Sequence, residues 1–265
     1  GLAAMIAAAG ALRAREVELA GDLVLAFTGG ESSNCLGARH LVATGALSGS
    51  GALLVSEPSS LEVVIAEKAA LWLRVIAHGR AGHLSGGVAG GENAILAATA
   101  ALPRLAAALP AGEHALLGRA TANVGRIAGG TAINLTPDRC TVDLDLRLLP
   151  EHDADEVEGA VRAALGAGFT VERLDFKPAV ETPCDHPFVA TCRDLTAAVR
   201  HRPAPALGAA YFSDACVLAP AFDLPMVIIG PGAMGGSGAV DEKVAVEDVV
   251  TAAMLFAAIA EARLG

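Results

Sequence analysis

Two carboxylates stand directly after apolar runs of strand length. Residues 23–27 form an apolar run that ends at Gly29-Gly30 and presents Glu31, and residues 52–55 form a second run that leads to Ser56 and Glu57. Buried parallel strands are typically continuous apolar runs, and ligands in open α/β sheets bind beyond the carboxyl ends of strands. We therefore expect Glu31 and Glu57 to belong to one site. The alternative for Glu31 is a polar loop with a solvated glutamate and a Ser or Asn helix cap.

The composition excludes several classes of function. The chain has 265 residues and a formal net charge of -10, which argues against a nucleic-acid binder because such proteins need a basic face. The longest apolar run, residues 249–260, is too short to span a membrane, so we expect no membrane association. The five cysteines are odd in number and lack a C-x-x-C pattern, which favours small buried thiols in a reducing, cytoplasmic compartment.

The elements that must position these residues follow from the apolar patterns. Helices are predicted over 2–15 and 36–45, and strands over 22–27 and 52–55, which is typical of a sheet covered by helices. From about residue 63 the order becomes β-α-β-β-α-β, that of a ferredoxin-like module, and after residue 177 the α/β pattern returns. The predicted fold is therefore α/β, with a mixed or parallel sheet and helices on both faces, carrying an inserted α+β ferredoxin-like lid. The predicted divisions are 1–62, 63–176 and 177–265. Because the chain opens inside a helix pattern without Met, we expect it to be an internal piece of a longer chain.

Several short motifs occur in a characteristic order along nearly the whole chain. They are Thr28-Gly29-Gly30-Glu31 with Leu36-Gly37-Ala38, Ser56-Glu57-Pro58-Ser59, the glycine-rich segment 79–94 with His83, Ser85 and Asn93, the segment 123–134 ending in Asn134, Asp145-Leu146-Arg147, Ser213-Asp214-Ala215, Gly230-Pro231-Gly232, and Asp241-Glu242. As a set they resemble the M20 family of metallopeptidases and deacylases, which includes acetylornithine deacetylase, succinyl-diaminopimelate desuccinylase, aminoacylases and glutamate carboxypeptidase.

The resemblance implies hydrolysis of the amide of small N-acyl amino acids or peptides by a pair of zinc ions, under a lid that also forms a homodimer. It assigns the general base to Glu31, a metal-ligand carboxylate to Glu57, and stabilisation of the oxyanion to His83. Asn134 and Arg147 match lid positions that hold the substrate carboxylate, and Gly232 falls among the substrate-binding positions. From the residues alone, His83 is also consistent with a solvated loop histidine, Asn134 with a turn residue and Arg147 with a surface charge.

Two residues depart from the family pattern at ligand positions. Ser32 stands where the family has a second adjacent glutamate, and Gly238 stands where it has a histidine. The family's His-x-Asp and bridging Asp would precede Gly1. A hydroxyl and a glycine do not replace a carboxylate and an imidazole, so we expect the zinc pair to be absent or partial in this chain.

Three functions are consistent with this pattern. The first is an M20-type amidohydrolase with Glu31 as its base. The second is a relative that has lost the metal and binds an acyl amino acid or catalyses a metal-independent acyl step. The third is a structural partner subunit that dimerises through the lid.

Overall fold

Strand pairing divides the chain into separate sheets. The computed structural model describes residues 1–83, 85, 91–236 and 238–265, so parts of the glycine-rich segments 79–91 and 235–238 lie outside the described residues. The chain separates into unit 1, Gly1–Lys68 with Ala179–Gly265, and unit 2, Ala69–Pro178.

The helices and strands follow one another along both units. Unit 1 begins with α1 (Leu2–Ala14), α2 (Glu31–Asn34), α3 (Leu36–Thr44), β1 (Leu53–Val55) and β2 (Val63–Glu67). Unit 2 contains β3 (Ala69–His78), β4 (Gly82–His83), α4 (Ala94–Ala107), β5 (Thr121–Gly129), β6 (Leu135–Thr136), β7 (Arg139–Leu148), α5 (Ala154–Leu165) and β8 (Phe169–Lys177). Unit 1 then resumes with β9 (Val180–Glu181), α6 (Pro187–Arg200), β10 (Ala206–Ala209), α7 (Ala215–Phe222), β11 (Met226–Ile228) and α8 (Val246–Leu264).

Unit 1 is built on a mixed sheet. Its strand order is β1-β11-β2-β10, with β9 added to β2; β1 and β11 are parallel, β2 and β10 are parallel, and β11 and β2 are antiparallel. Val64, Met226 and Ile228 of this sheet pack with Ala215 and Ala219 of α7 in a buried apolar cluster. The sheet therefore has the apolar core that its continuous apolar strands predict.

The predicted strand over residues 22–27 is wrong. This segment is extended but forms no strand, because in the described part of the chain no neighbouring strand hydrogen-bonds to it. Val24 and Phe27 are accordingly about half exposed, at 54% and 50%. An apolar run indicates a preference for burial, but a strand also needs a partner for its backbone groups.

Unit 2 has the predicted ferredoxin-like arrangement. Its four-stranded antiparallel sheet has the order β5-β7-β3-β8, and α4 and α5 lie between strands in the sequence as expected. Alternate residues of β3 and β7, such as Leu71, Leu73, Val142 and Leu144, are buried. The predicted fold class, an α/β domain with an inserted α+β module, is confirmed by these two sheets.

Two sequence predictions concern the burial of the cysteines and the absence of a membrane-spanning helix. All five cysteines are free thiols; four are buried and Cys184 is exposed, which departs from the expectation that all would be buried. None of the helices built from the described residues is both long enough and apolar enough to cross a membrane.

A carboxylate is buried in the core of unit 1. Glu67 at the end of β2 is fully buried, and the Ser213 hydroxyl donates a hydrogen bond to its Oε2 at 2.8 Å. Its Oε1 has no hydrogen-bond partner among the described residues. Burial raises the pKa of Glu67 well above its ordinary value, the hydrogen bonds from Ser213 lower it in part, and the charges of Glu31 and Glu57 raise it further. The protonated form of Glu67 is therefore favoured in the folded chain.

We predict that Glu67→Gln changes the pH dependence of stability. Since the pKa is higher in the folded than in the unfolded chain, the folded chain binds the extra proton, and the free energy of unfolding falls as the pH rises through the folded pKa. Glutamine keeps an oxygen that can accept from Ser213 but cannot ionise. Relative to wild type, the variant should gain stability at about pH 8, where the glutamate is under pressure to ionise, and little at about pH 4.5.

Urea unfolding followed by circular dichroism at both pH values measures this effect. Glu18→Gln, which changes an exposed glutamate of the same unit, is the matched control and should leave the pH dependence unchanged. Equal pH dependence in Glu67→Gln and wild type would show that Glu67 is not the titrating group.

Candidate functional site

Glu31 is held in a tight turn of unit 1. It is the first residue of the four-residue helix α2, whose N-cap, Gly30, has a left-handed backbone at φ +78°. The main-chain N–H of Gly37 donates to the carbonyl of Gly29 at 2.9 Å, and a Cβ on Gly37 would lie 2.7 Å from the Gly29 nitrogen. The glycines therefore allow the close backbone approach that sets the position of Glu31.

Ser32 contacts the carboxylate that the sequence proposes as a base. Its hydroxyl donates to Glu31 Oε2 at 3.2 Å. The Ser32 side chain is exposed, and Glu31 is partly buried. A neutral hydroxyl in this place adds one hydrogen bond to Glu31 and no negative charge.

Glu57 lies beyond the carboxyl end of β1, as the sequence predicts. The end of β11 approaches it closely, since a Cβ on Gly230 would lie 2.2 Å from the Glu57 carbonyl oxygen. Burial raises the pKa of Glu57, and the charge of Asp214 raises it further.

Asp214 and Glu67 complete a cluster of four carboxylates with Glu31 and Glu57. The Thr28 hydroxyl donates to Asp214 Oδ2, while Asp214 Oδ1 is buried and has no hydrogen-bond partner among the described residues. Their charges act on one another, because Glu31 and Glu57 raise the pKa of Glu67, and Asp214 raises that of Glu57. We call this set the carboxylate cluster.

Sequence reasoning assigns no role to two members of the carboxylate cluster. The sequence-based predictions include Asp214 only as part of a motif, and they do not include Glu67. A signal for Glu67 is present, since a single glutamate closes the apolar run Val63 to Ala66. Its burial against Ser213 depends on a residue 146 positions away, which the local pattern does not reveal.

The described side chains of unit 1 can be compared with the donors that a zinc ion needs. A protein zinc site uses three or four nitrogen, sulfur or carboxylate ligands. Over the described ranges, no group of three or more His, Cys, Asp or Glu side chains is arranged to hold a metal. Gly238, at one of the family's ligand positions, has no side chain, and its N–H donates to Glu242 Oε2 at 2.9 Å.

His83 of unit 2 lies in a short two-stranded ribbon. β4 and β6 pair with the register His83 to Leu135, which brings Asn134 beside the ring. The Asn134 amide nitrogen lies 2.8 Å from His83 Nε2, and the Ser85 hydroxyl lies 2.6 Å from Nδ1. All three side chains are exposed and available to a ligand.

The contacts of His83 bear on its protonation. The Ser85 main-chain N–H donates to Nδ1 at 3.1 Å, which requires an unprotonated Nδ1 and places the ring proton on Nε2. An amide nitrogen of Asn134 at Nε2 instead requires an unprotonated Nε2. Turning the Asn134 amide over satisfies both contacts. In that arrangement the ring carries its proton on Nε2 and donates it to the Asn134 amide oxygen, so a ligand oxyanion would have to take the place of that contact.

Arg147 and Gly232, the two other residues predicted to bind substrate, make contacts within their own units. Arg147 Nη2 is ion-paired with Asp145 Oδ2 at 2.9 Å. It lies near the end of β7, eight residues and about 27 Å along the strand from Arg139. Arg139, at the other end of β7, pairs with His78, the last residue of β3 before the chain turns toward β4. β4 pairs with β6, which follows Asn134, so unit 2 does not bring Arg147 beside Asn134. Gly232 has a left-handed backbone at φ +94°, and its carbonyl accepts from the Ser60 N–H at 2.7 Å.

Comparisons with known proteins identify related chains. Residues 65–170 match the profile of the peptidase dimerisation domain M20_dimer. A probable carboxypeptidase of Aspergillus terreus is 35% identical over 125 residues, which cover 43% of this chain and 29% of that protein. The match thus spans less than a third of that curated relative's length.

Two solved structures show the same fold. Aminopeptidase PepT from Bacillus cereus has a TM-score of 0.75 at 23% identity, covering 98% of this chain and 69% of that one. Dipeptidase Dug1p from Saccharomyces cerevisiae has a TM-score of 0.76 at 14% identity, covering 95% and 68%. The resemblance to the M20 metallopeptidases and deacylases is thereby confirmed, since the chain contains that family's peptidase dimerisation domain and has the fold of its peptidases.

Proposed function

We propose that this chain is an M20-type amidohydrolase relative that binds small N-acyl amino acids or peptides, and whose two-zinc site is degraded. In this proposal Glu31, His83 and Asn134 keep their roles toward the ligand, while cleavage by the two-zinc route is lost. The observation that carries it is the donor chemistry at two ligand positions, Ser32 and Gly238.

Ser32 and Gly238 weaken any metal site whatever precedes Gly1. The Ser32 hydroxyl is hydrogen-bonded to Glu31, and it lacks the negative charge of a ligating glutamate. A Cβ built on Gly238 meets nothing within 4 Å, but the left-handed backbone at φ +76° would strain a histidine at this position. Glu57 is then the remaining candidate ligand among the family's ligand positions that fall within this chain.

Ligand binding is supported by the polar groups that remain. With a proton on Nε2, His83 can donate to a ligand carbonyl oxygen in place of the Asn134 amide oxygen, and the Asn134 amide nitrogen offers a further donor to a ligand carboxylate. In unit 1, Glu31 accepts a hydrogen bond from an amide N–H or an amine. The relatives' names, carboxypeptidase, aminopeptidase and dipeptidase, make peptides and amides the first ligands to test. Arg147 as a carboxylate fork remains a prediction.

We predict that Asn134→Ala weakens the binding of N-acetyl amino acids or dipeptides. Loss of one hydrogen bond to a charged carboxylate should reduce affinity by about tenfold or more, as titration calorimetry would measure. Asn123→Ala, an exposed asparagine in the same unit, should bind like wild type. If no member of the ligand panel binds to wild type while the chain still dimerises, the structural partner-subunit function is favoured instead.

We predict that the double substitution Ser32→Glu, Gly238→His restores zinc uptake. Together with Glu57 it supplies three ligands, enough for a zinc ion with an open position. Elemental mass spectrometry of purified protein should show zinc in this variant and far less in wild type. The control, Ser33→Glu with Gly235→His, adds the same side chains at neighbouring positions and should not gain zinc. Wild-type protein with about two zinc ions per chain and amide hydrolysis would overturn the degraded-site proposal.

We also propose that two copies of the chain dimerise through unit 2. The match to the peptidase dimerisation domain covers most of this unit. Its strand β5 is an edge of the four-stranded sheet, and all nine of its residues are exposed. Val124 and Ile127 lie opposite the buried Leu144 and Val142 but are 43% and 46% exposed, so the apolar face of the sheet continues uncovered to this edge. An uncovered edge of this kind favours pairing with another chain.

We predict that Val124→Asp with Ile127→Asp converts the dimer to a monomer. Two charges on the uncovered apolar edge oppose its burial. Light scattering coupled to size-exclusion chromatography measures the mass. Leu174→Asp, on the opposite edge strand β8 and 45% exposed, is the matched control and should remain dimeric. A wild-type chain that is monomeric at every concentration tested, or a control that dissociates equally, would contradict this interface.

A further inference from the structure

Two buried cysteines of unit 1 lie in contact although they are 181 residues apart. The Sγ atoms of Cys35 and Cys216 are 3.9 Å apart, and both side chains are fully buried. Neither residue forms a disulfide in this structure. Neither residue has a role in the proposed ligand binding.

The local structure holds the two thiols together. Cys35 lies between α2 and α3 with a left-handed backbone, at φ +52° and ψ +41°. A residue with a side chain rarely adopts this conformation and needs surrounding contacts to maintain it. Cys216 lies in the first turn of α7, and α7 packs against α3. The Cys35 thiol also points toward the Glu31 carbonyl at 3.7 Å.

We propose that Cys35 and Cys216 are a thiol pair that forms a reversible disulfide when a small-molecule disulfide such as oxidised glutathione acts as the oxidant. One thiolate attacks the oxidant and forms a mixed disulfide, which releases one small thiol. The second thiolate displaces the other small thiol and closes the Cys35–Cys216 bond. The two thiol protons pass to the two released thiols, the protein loses two electrons, and the oxidant gains them.

The closure needs a modest movement. The sulfur atoms must approach from 3.9 Å to about 2.05 Å. Because both thiols are buried, the oxidant reaches them only when the segment opens locally. α2 has no buried residue, so the opening has to expose the fully buried Cys35 that follows it but no residue of α2 from the core.

The bond would fix the turn that carries Glu31. Thr28 on the near side already donates to Asp214, which immediately precedes α7. A second, covalent link from Cys35 to Cys216 would hold residues 28–35 against the start of α7 from both ends. Its consequence for ligand affinity rests on the proposed function, whereas formation of the bond does not.

Peptide mapping of the full chain tests the proposal. Native protein with a Cys184→Ser background, which removes the exposed thiol, is incubated with oxidised glutathione and digested without reduction. We expect a peptide linking Cys35 to Cys216, a mass loss of two hydrogen atoms, and reversal by dithiothreitol. Further substitution of Cys35 by Ser should abolish both the linked peptide and the mass loss of two hydrogen atoms. The matched control changes Cys192, another fully buried cysteine, to Ser in the same background. Because burial raises the pKa of Cys192 to about 12, we do not expect its thiol to react, and this control protein should still form the link.

Hydrogen exchange gives a second readout that needs no variant beyond the Cys184→Ser background. Residues 28–36 of the oxidised background protein should exchange more slowly than in the reduced form, by about tenfold or more, because the bond suppresses local opening. Retention of all four thiols after native oxidation, or a link between other cysteines, would overturn the proposal. Both readouts are independent of ligand binding, so failure here is distinguishable from failure of the proposed function.

Discussion

The burial of Glu67 against Ser213 is the interaction on which the candidate site of unit 1 depends. Ser213 directly precedes Asp214, the N-cap of α7. The hydrogen bond from Ser213 to Glu67 Oε2 therefore also helps to fix the position of Asp214. Asp214 in turn accepts from Thr28, three residues before Glu31. A carboxyl group taken into the core thus links the sheet, α7 and the Glu31 turn through consecutive polar contacts. The contact between Ser213 and Glu67 matters most, because it is buried and an unpaired buried polar group is costly.

Close backbone approaches supply the rest of the positioning. Gly37 packs against Gly29, and Gly230 packs against the carbonyl of Glu57, in both cases at distances that a Cβ would prevent. These glycines therefore hold the two predicted carboxylates where they are without contributing chemistry themselves. Unit 2 uses a similar device, since a Cβ on Gly79 would lie 2.1 Å from the carbonyl oxygen of Glu92, near the ribbon that carries His83.

The retained and altered residues occur in the same short segments. Glu31 adjoins Ser32, and Gly238 stands near Asp241-Glu242, a pair that matches the family motif. Ser32 and Gly238 are the two positions that the proposed function treats as lost metal ligands. The ligand binding and the dimer interface that we propose do not require the metal, because they rest on hydrogen bonds and on a strand edge.

The sequence by itself determined the type of most elements, the ferredoxin-like order of unit 2, and the family resemblance. Those features depend on local apolar periodicity and on short motifs, both of which are written along the chain. Only the tertiary structure decided that residues 22–27 form no strand and that Arg147 pairs with Asp145 away from Asn134. It also decided that Glu67 is buried against Ser213, that Asp214 accepts from Thr28, and that Cys35 contacts Cys216. Each of these outcomes depends on a partner strand or side chain distant in sequence or on which neighbours fold beside it, and local pattern carries no information about that choice.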